Sequence, residues 1–303
     1  MHNVIMPEKI SAVINTLNEE RNIKRAIDSI KWVDEIIVCD MHSDDQTTEI
    51  AKGLGAKIIL HKRSRYVEPA RNFAISKASG EWILILDADE QVPEILKEKL
   101  VEIANKMDQI DYVKIPRKNI IFGKWMQQSQ WWPDLNVRFF RKGKVKWGDK
   151  IHRPPEASGL GLDLPAEERW AIVHHNYRGI SQFLERMDRY TTIQAEELKK
   201  EGYKFKWIDL LEKPLDEFLS RFFANQGYKD GLHGLAASCL QAYSFMIVYL
   251  KLWEMSYFKQ QDISLDELEI EKLKSGKSIE YWLKHSRSNK NPFKNFLQKL
   301  KGF

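Results

Sequence analysis

The chain has 303 residues, 43% of them hydrophobic and 30% charged, which excludes a disordered polar segment and leaves room for one large domain or two smaller ones. Its two cysteines, Cys39 and Cys239, each sit in an apolar run, so buried free thiols are expected rather than a redox pair, as fits a reducing cytoplasm. The net charge of +5 is modest but uneven: residues 284–301 carry six Lys or Arg and no acid.

The opening residues hold no apolar core of signal-peptide length, and no uninterrupted apolar stretch reaches the roughly 18 residues of a membrane span. Residues 10–15 form a short β-rich run, and 22–30 have helical spacing. Residues 35–40, with their Ile-Ile-Val-Cys, read as a buried strand. Residues 46–54 read as a helix ended by Gly55, and 56–61 as a strand again. Residues 68–77 are helical, Gly80 follows, and 82–87 (WILILD) are a continuous apolar run. Residues 93–107 open with Pro93 at a helix start and keep helical periodicity. Such alternation predicts βαβ units with a parallel sheet, whose doubly covered strands read as apolar runs. From Tyr112 to Asn176 aromatic-rich strands and loops are expected. Beyond Gly179 the chain is expected to be almost wholly helical, over 180–201, 215–226 and the apolar run 232–258.

Chemistry concentrates at strand ends. The run LILDADE ends an apolar strand in Asp87-Ala88-Asp89. Ligands of open α/β sheets sit at the carboxyl ends of strands, and two carboxylates there can hold a hard cation such as Mg²⁺ or Mn²⁺ against substrate phosphate. The first strand breaks into Asn15, Thr16, Asn18, Glu19 and Glu20, a loop suited to a base or ribose, and no dinucleotide glycine fingerprint is present. The second strand ends at Asp40 and leads through Asp44, Asp45 and Thr47 into a helix. Asp44 could accept from a base imide, while Asp45 and Thr47 read as helix caps. Arg71 lies on the helix before the acidic strand, where a guanidinium could neutralise a diphosphate.

In this order the segments resemble the family 2 glycosyltransferases. The matching residues are Thr16-Leu-Asn18-Glu19, Asp40-Met-His-Ser43-Asp44-Asp45-Gln-Thr47, Ala70-Arg71-Asn72 and Asp87-Ala-Asp89. The second motif has one residue more than the common spacing, which leaves Asp44 and Asp45 as alternatives. The resemblance implies a GT-A fold, a Rossmann-like mixed sheet flanked by helices, with a mostly helical C-terminal region. It implies that Thr16, Glu19 and Asp44 contact the nucleotide, Arg71 the diphosphate, and Asp87 and Asp89 the nucleotide and a Mg²⁺ or Mn²⁺ ion. The run WWPDLNVRFFRKGKVKWGDKIH is similar to the acceptor side of bacterial transferases acting on lipopolysaccharide core or related glycans. There a His-Glu pair is usual; this chain has His152-Arg153, with Glu156 further on. A catalytic domain is expected over 8–178, with a nucleotide-sugar half at 8–110 and an acceptor half at 111–178, followed by a helical region at 179–303.

Family 2 enzymes invert the anomeric centre in one displacement, so a general base must take the acceptor proton while the departing nucleotide diphosphate is stabilised. Asp134, after the Trp131-Trp132-Pro133 turn, is the first candidate for the base, with Asp149 and Glu156 behind it. Trp131 and Trp132 offer an apolar platform for a sugar, or core packing. Among His152, His174 and His175, His175 is chosen as third metal ligand. The expected donor is a UDP-hexose and the expected acceptor a glycan or lipid-linked glycan, with no nucleic-acid partner. Two alternatives, nucleotidyl transfer and single-strand nucleic-acid binding by the basic tail, remain open; the acidic loop after the first strand speaks against the former. Phe293, Phe296, Leu297 and Leu300 fall on one helical face among lysines, the pattern of an interfacial helix on an anionic membrane.

Overall fold

The computed structural model describes residues 8–64, 67–148 and 154–288. Asp149, His152 and the interfacial pattern of residues 290–301 therefore lie outside the described residues. The chain folds as two compact units, one made of residues 8–120 with Trp132–Asn176, the other of Ile121–Trp131 with residues 177–288.

In the first unit the chain alternates as expected: β1 (Ile10–Thr16), α1 (Ile23–Asp28), β2 (Glu35–Asp40), α2 (Thr47–Gly53), β3 (Lys57–Leu60), α3 (Glu68–Ser76) and β4 (Trp82–Asp87). A two-residue strand β5 (Glu90–Gln91) then precedes α4 (Glu94–Lys106). The later strands of the chain are β6 (Tyr112–Ile115), β7 (Arg117–Ile121), β8 (Lys124–Trp125, in the second unit), β9 (Asn136–Arg141), β10 (Val145–Lys146), β11 (Glu156–Ala157), β12 (Gly161–Asp163) and β13 (Ile172–Tyr177). Seven strands form one mixed sheet in the order β12-β6-β9-β4-β1-β2-β3. Strands β1 to β4 run parallel, and β9 pairs antiparallel with both β4 and β6. This is the mixed Rossmann-like sheet that the sequence predicts.

Helices bury both faces of that sheet, which is why its central strands could be apolar throughout. Ile14, Leu84 and Leu86 pack with Ile23, Ile27 and Leu100, while Val13, Ile83 and Ile85 pack with Ala70, Ala74 and Phe140. Trp82 stacks on Phe139 across β4 and β9 with ring centroids 4.4 Å apart. Gly80 enters β4 where a Cβ would stand 2.7 Å from the Lys9 carbonyl and the Ser11 nitrogen, so only glycine fits. A second sheet sets β5 and β7 on either side of β13, pairing His174 with Glu90.

The second unit is built on α5 (Ile180–Lys200), α6 (Asp209–Leu219), α7 (Leu232–Glu254) and α8 (Leu265–Ser288). Helix α6 starts six residues before the expected Leu215 and carries Pro214 inside it; a π-helical turn, Ser220–Ala224, follows. Buried Asp209 accepts from the Tyr203 hydroxyl and the Lys206 N–H, both at 2.8 Å, and so closes the α5–α6 connection. Asp230 accepts the Gln127 and Gln128 N–H groups at 3.1 and 2.9 Å, fastening segment 121–131 to the helices. Helix α7 is long and apolar enough to cross a bilayer, and only 28% of its most apolar window is buried. Cys239 lies on it and is exposed, against expectation, because an apolar run signals burial only if neighbours cover it; Cys39, in β2, is buried as expected.

Candidate active site

The loops leaving β1 and β2 are laced together by hydrogen bonds between backbone and side chain. Asn18 N–H donates to Ser43 Oγ, Asp44 N–H to Asn18 Oδ1 and Glu19 N–H to Thr47 Oγ1, each at 2.8 Å. Glu20 N–H donates to Asp45 Oδ2 at 3.1 Å, and Asp45 also accepts the Thr47 N–H at 3.0 Å. Asp45 is thus committed to its own helix start and to the neighbouring loop. Asp44 instead stands exposed, with Arg63 Nη1 at 3.0 Å from its carboxylate. Thr16 is buried and donates to Asp40 Oδ1 at 3.2 Å, so its hydroxyl braces the loop from beneath. The Glu19 carboxylate accepts from Asn22 at 2.7 Å.

Beside these loops β4 ends in the acidic turn. β1 pairs with both β2 and β4, and Asn15 faces Asp87. The three strands therefore deliver their loops to one edge of the sheet. The turn is closed by Glu90, whose Oε2 accepts the Asp87 N–H at 2.9 Å. Asp87 holds two guanidinium groups, Arg71 on Oδ1 and Arg138 on Oδ2, both at 2.7 Å. Burial pushes the Asp87 carboxyl up, but the charges of Arg138 and Arg71 outweigh it and hold it well below the ordinary carboxylate range. Arg71 is 7% exposed and lies over the Trp147 ring, 5.6 Å from its centroid.

Asp134 lies at φ 42°, a left-handed conformation that aspartate tolerates better than most residues. Its Oδ2 accepts from Arg117 Nη2 at 2.7 Å and from Asn119 Nδ2 at 3.0 Å, and Asn136 Nδ2 lies 3.0 Å from Oδ1. Burial raises its pKa, yet Arg117 and the two amides bring it below the ordinary value, so the group is ionised at neutral pH. The other described candidate for the base, Glu156, is exposed on the β10–β11 ribbon.

The expected metal ligands Asp87, Asp89 and His175 are not assembled as a triad; among the described residues no three His, Cys, Asp or Glu are grouped for a metal. Asp87 is turned to arginines, and Asp89 Oδ1 lies 3.4 Å from His174 Nε2. His174 Nδ1 is in turn 2.7 Å from Asn119 Oδ1. His175 nevertheless suits the role. Its Nε2 is buried with no hydrogen-bond partner among the described residues. Burial, then the Arg25 charge, lower its pKa and keep the ring neutral. The His175 backbone N–H donates to the Asp89 carbonyl at 2.9 Å. An ion that arrives with a diphosphate needs only one or two protein ligands, since phosphate oxygens and water complete its shell. His175 Nε2 offers one such ligand, while the Asp89 carboxylate stands against His174.

Sequence reasoning assigned no role to Glu90, Arg117, Asn119 or Arg138. Glu90 follows the acidic pair directly, and Arg138 lies in the run WWPDLNVRFF, so position alone marked these two. Arg117 and Asn119 carry no local signal. Trp131 is a packing residue of the second unit, beside Ile121, Met126 and Ala237, with the Arg221 guanidinium 5.6 Å from its ring.

A mixed sheet with acidic and amide-lined loops gathered at its carboxyl edge is an α/β fold of the kind that binds ligands at strand ends. Residues 11–160 match Glycosyl transferase family 2, and the chain belongs to that family. An uncharacterised glycosyltransferase of Rickettsia typhi is 31% identical over 86% of this chain and 91% of its own. LpsC, a lipopolysaccharide core biosynthesis glycosyltransferase of Rhizobium meliloti, is 23% identical over 82% and 94%. Among solved structures, S. aureus TarS aligns with TM-score 0.42 and 17% identity over 80% of this chain and 91% of that one. Glucosyl-3-phosphoglycerate synthase of Mycobacterium tuberculosis, solved with Mn²⁺, UDP and glucosyl-3-phosphoglycerate, aligns with TM-score 0.41 and 20% identity over 65% and 81%. The protein is a glycosyltransferase, and the family favours sugar transfer over nucleotidyl transfer or nucleic-acid binding.

Proposed function

We propose that this glycosyltransferase moves a hexose, with inversion, from a UDP-sugar to a glycan or lipid-linked acceptor of the lipopolysaccharide-core type. The observation that carries the reading is the meeting of the laced β1 and β2 loops with the acidic turn of β4 at one sheet edge. Asp44 is the exposed carboxylate of that edge and is free of helix-capping duty, so it is the acid offered to the base; Glu19 and Thr16 shape the loop beside it. Arg71 is the cation offered to the diphosphate. Asp89 and His175 would hold Mg²⁺ or Mn²⁺, with Asp87 contributing charge beside them. When bound, the ion stabilises negative charge on the departing diphosphate.

Asp134 takes the proton from the acceptor hydroxyl. Its ion pair with Arg117 keeps it deprotonated, and Asn119 and Asn136 fix its orientation. The likeness to LpsC supports a lipopolysaccharide-core acceptor. The catalytic domain is taken as 8–178, and the helical region 179–303 as the part that meets an anionic membrane peripherally. Exposed Leu232, Ile263 and Leu265 and the basic run 284–301 support that contact.

The test is nucleotide release from UDP-, GDP- and CMP-hexoses with Mn²⁺. Release from a UDP-hexose that stops in EDTA is expected. Release from GDP- or CMP-hexoses alone, or undiminished release in EDTA, would refute the donor or the metal respectively.

A further inference from the structure

We propose that Glu90 and Arg117 are positioning residues that tie the acceptor-side carboxylate Asp134 to the donor-side carboxylate Asp87; the assignment of those two ends rests on the function proposed above. The geometry is a continuous chain of charge. Arg117 reaches Asp134 Oδ2 through Nε at 2.8 Å and Nη2 at 2.7 Å, and its Nη1 lies 3.3 Å from Glu90 Oε1. The same Glu90 oxygen takes Arg138 Nη2 at 2.6 Å, and Arg138 Nη2 lies 2.7 Å from Asp87 Oδ2. The second Glu90 oxygen caps the Asp87 N–H at 2.9 Å.

Glu90 is therefore a hub, fixing the backbone of the acidic turn with one oxygen and orienting two arginines with the other. It is 0% exposed and Arg138 is 4% exposed. A buried ion network is a poor source of stability compared with apolar packing of the same volume, so its retention calls for another account. Here each guanidinium reaches from the hub to one end of the reaction. Asp134 is faced by Arg117 and Asn119 from β7, by Asn136 beside it on the chain, and by the charge of Arg138 from β9. Any pull on Asp87 when a donor arrives moves Arg138, and through Glu90 it moves Arg117 and the base. Both arginines offer planar forks that lysine cannot reproduce.

The experiment follows the Asp134 side-chain carboxyl ¹³C signal by NMR, assigned by its loss in Asp134→Asn. UDP with Mg²⁺ is titrated into the full chain, and its binding is measured separately by calorimetry. The Asp134 signal is expected to shift at saturation in the wild type and to stay still in Glu90→Gln, which still binds UDP. A wild-type signal that ignores bound UDP, or an equal shift in Glu90→Gln, overturns the coupling. Should Glu90→Gln fail to fold, Arg117→Lys serves, since it keeps the charge and loses the fork; the same loss of response is expected. A second arm needs no ligand. Exchange of the Arg117 Nε–H with water is expected to quicken severalfold in Glu90→Gln, and in Arg117→Gln the Asp134 titration midpoint is expected to rise by about one pH unit or more. Unchanged exchange and an unmoved midpoint overturn the positioning roles. UDP that fails to bind the wild type counts against the donor reading alone, because the second arm is read without it.

Discussion

In the α/β unit, Arg71 of α3, Asp89 and Glu90 just beyond β4, and Arg138 of β9 are only 7%, 6%, 0% and 4% exposed. In the helical unit buried Asp209 and Asp230 are bonded within the unit, and the largest exposures of apolar side chains include Leu232, Leu265 and Ile263, at 76%, 75% and 63%. Buried charge is costly unless paired, and exposed apolar surface is costly unless covered. The first unit meets its cost internally, through arginine–carboxylate pairing at the sheet edge. The second leaves these side chains uncovered among the described residues.

Removing the shared cation should break the first half of that contrast most severely. Arg138→Met leaves Asp87 and Glu90 without a common partner, and a loss of about 3–5 kcal/mol of stability is expected by denaturant titration. A loss within about 1 kcal/mol would mean that the network is not truly desolvated. Next in size is Asp89→Ala, which should cut UDP release by roughly 10²-fold or more, on the scale of losing a main charge stabiliser. Wild-type turnover by this variant would remove Asp89 from the reaction.

Asp134→Asn should lower kcat by about 10²-fold while UDP affinity stays near wild type, because a base acts in the transition state. Wild-type kcat here, with Glu156→Gln inactive, would move the base to Glu156. The same variant has a pH signature. The folded pKa of Asp134 is depressed, so its contribution to stability is present above its unfolded value near 3.9 and fades as pH falls through the lower folded value. The stability gap between wild type and Asp134→Asn should therefore narrow between pH 7 and pH 3; a constant gap would count against the ion pair with Arg117.

The smallest effect concerns the helical unit. Each Lys or Arg near an anionic surface is worth about 1 kcal/mol, so sedimentation with phosphatidylglycerol vesicles should be salt-sensitive and weaker for a chain ending at Lys284. Equal binding by both chains would shift the contact from the tail to the exposed apolar residues of the helices. Absence of binding by both would remove the membrane from the account.

Much of the first unit is legible in its residue order. Parallel strands covered on both faces must be apolar along their length, so WILILD announced β4 and placed Asp87 and Asp89 at its carboxyl end. Glycine and proline marked α2 and α4 in the same way. That Asp45 accepts the Glu20 N–H from the other loop, besides serving its own helix start, was not readable. Nor was the approach of His174 to Asp89 across 85 residues, since such a contact leaves no local pattern. Cys239 was misjudged because apolarity of α7 does not say what covers it.

By itself the sequence determined the alternation of strands and helices, the parallel core and the acidic turn, because local periodicity and strand burial leave direct marks in residue order. Only the tertiary structure decided how the charges pair. Glu90 meets Arg117 and Arg138 across 27 and 48 residues, and Arg138 meets Asp87 across 51. Such partners share no local pattern. They meet because β9 returns antiparallel beside β4, with Leu84 opposite Phe139, and carries Arg138 to the end of the acidic strand.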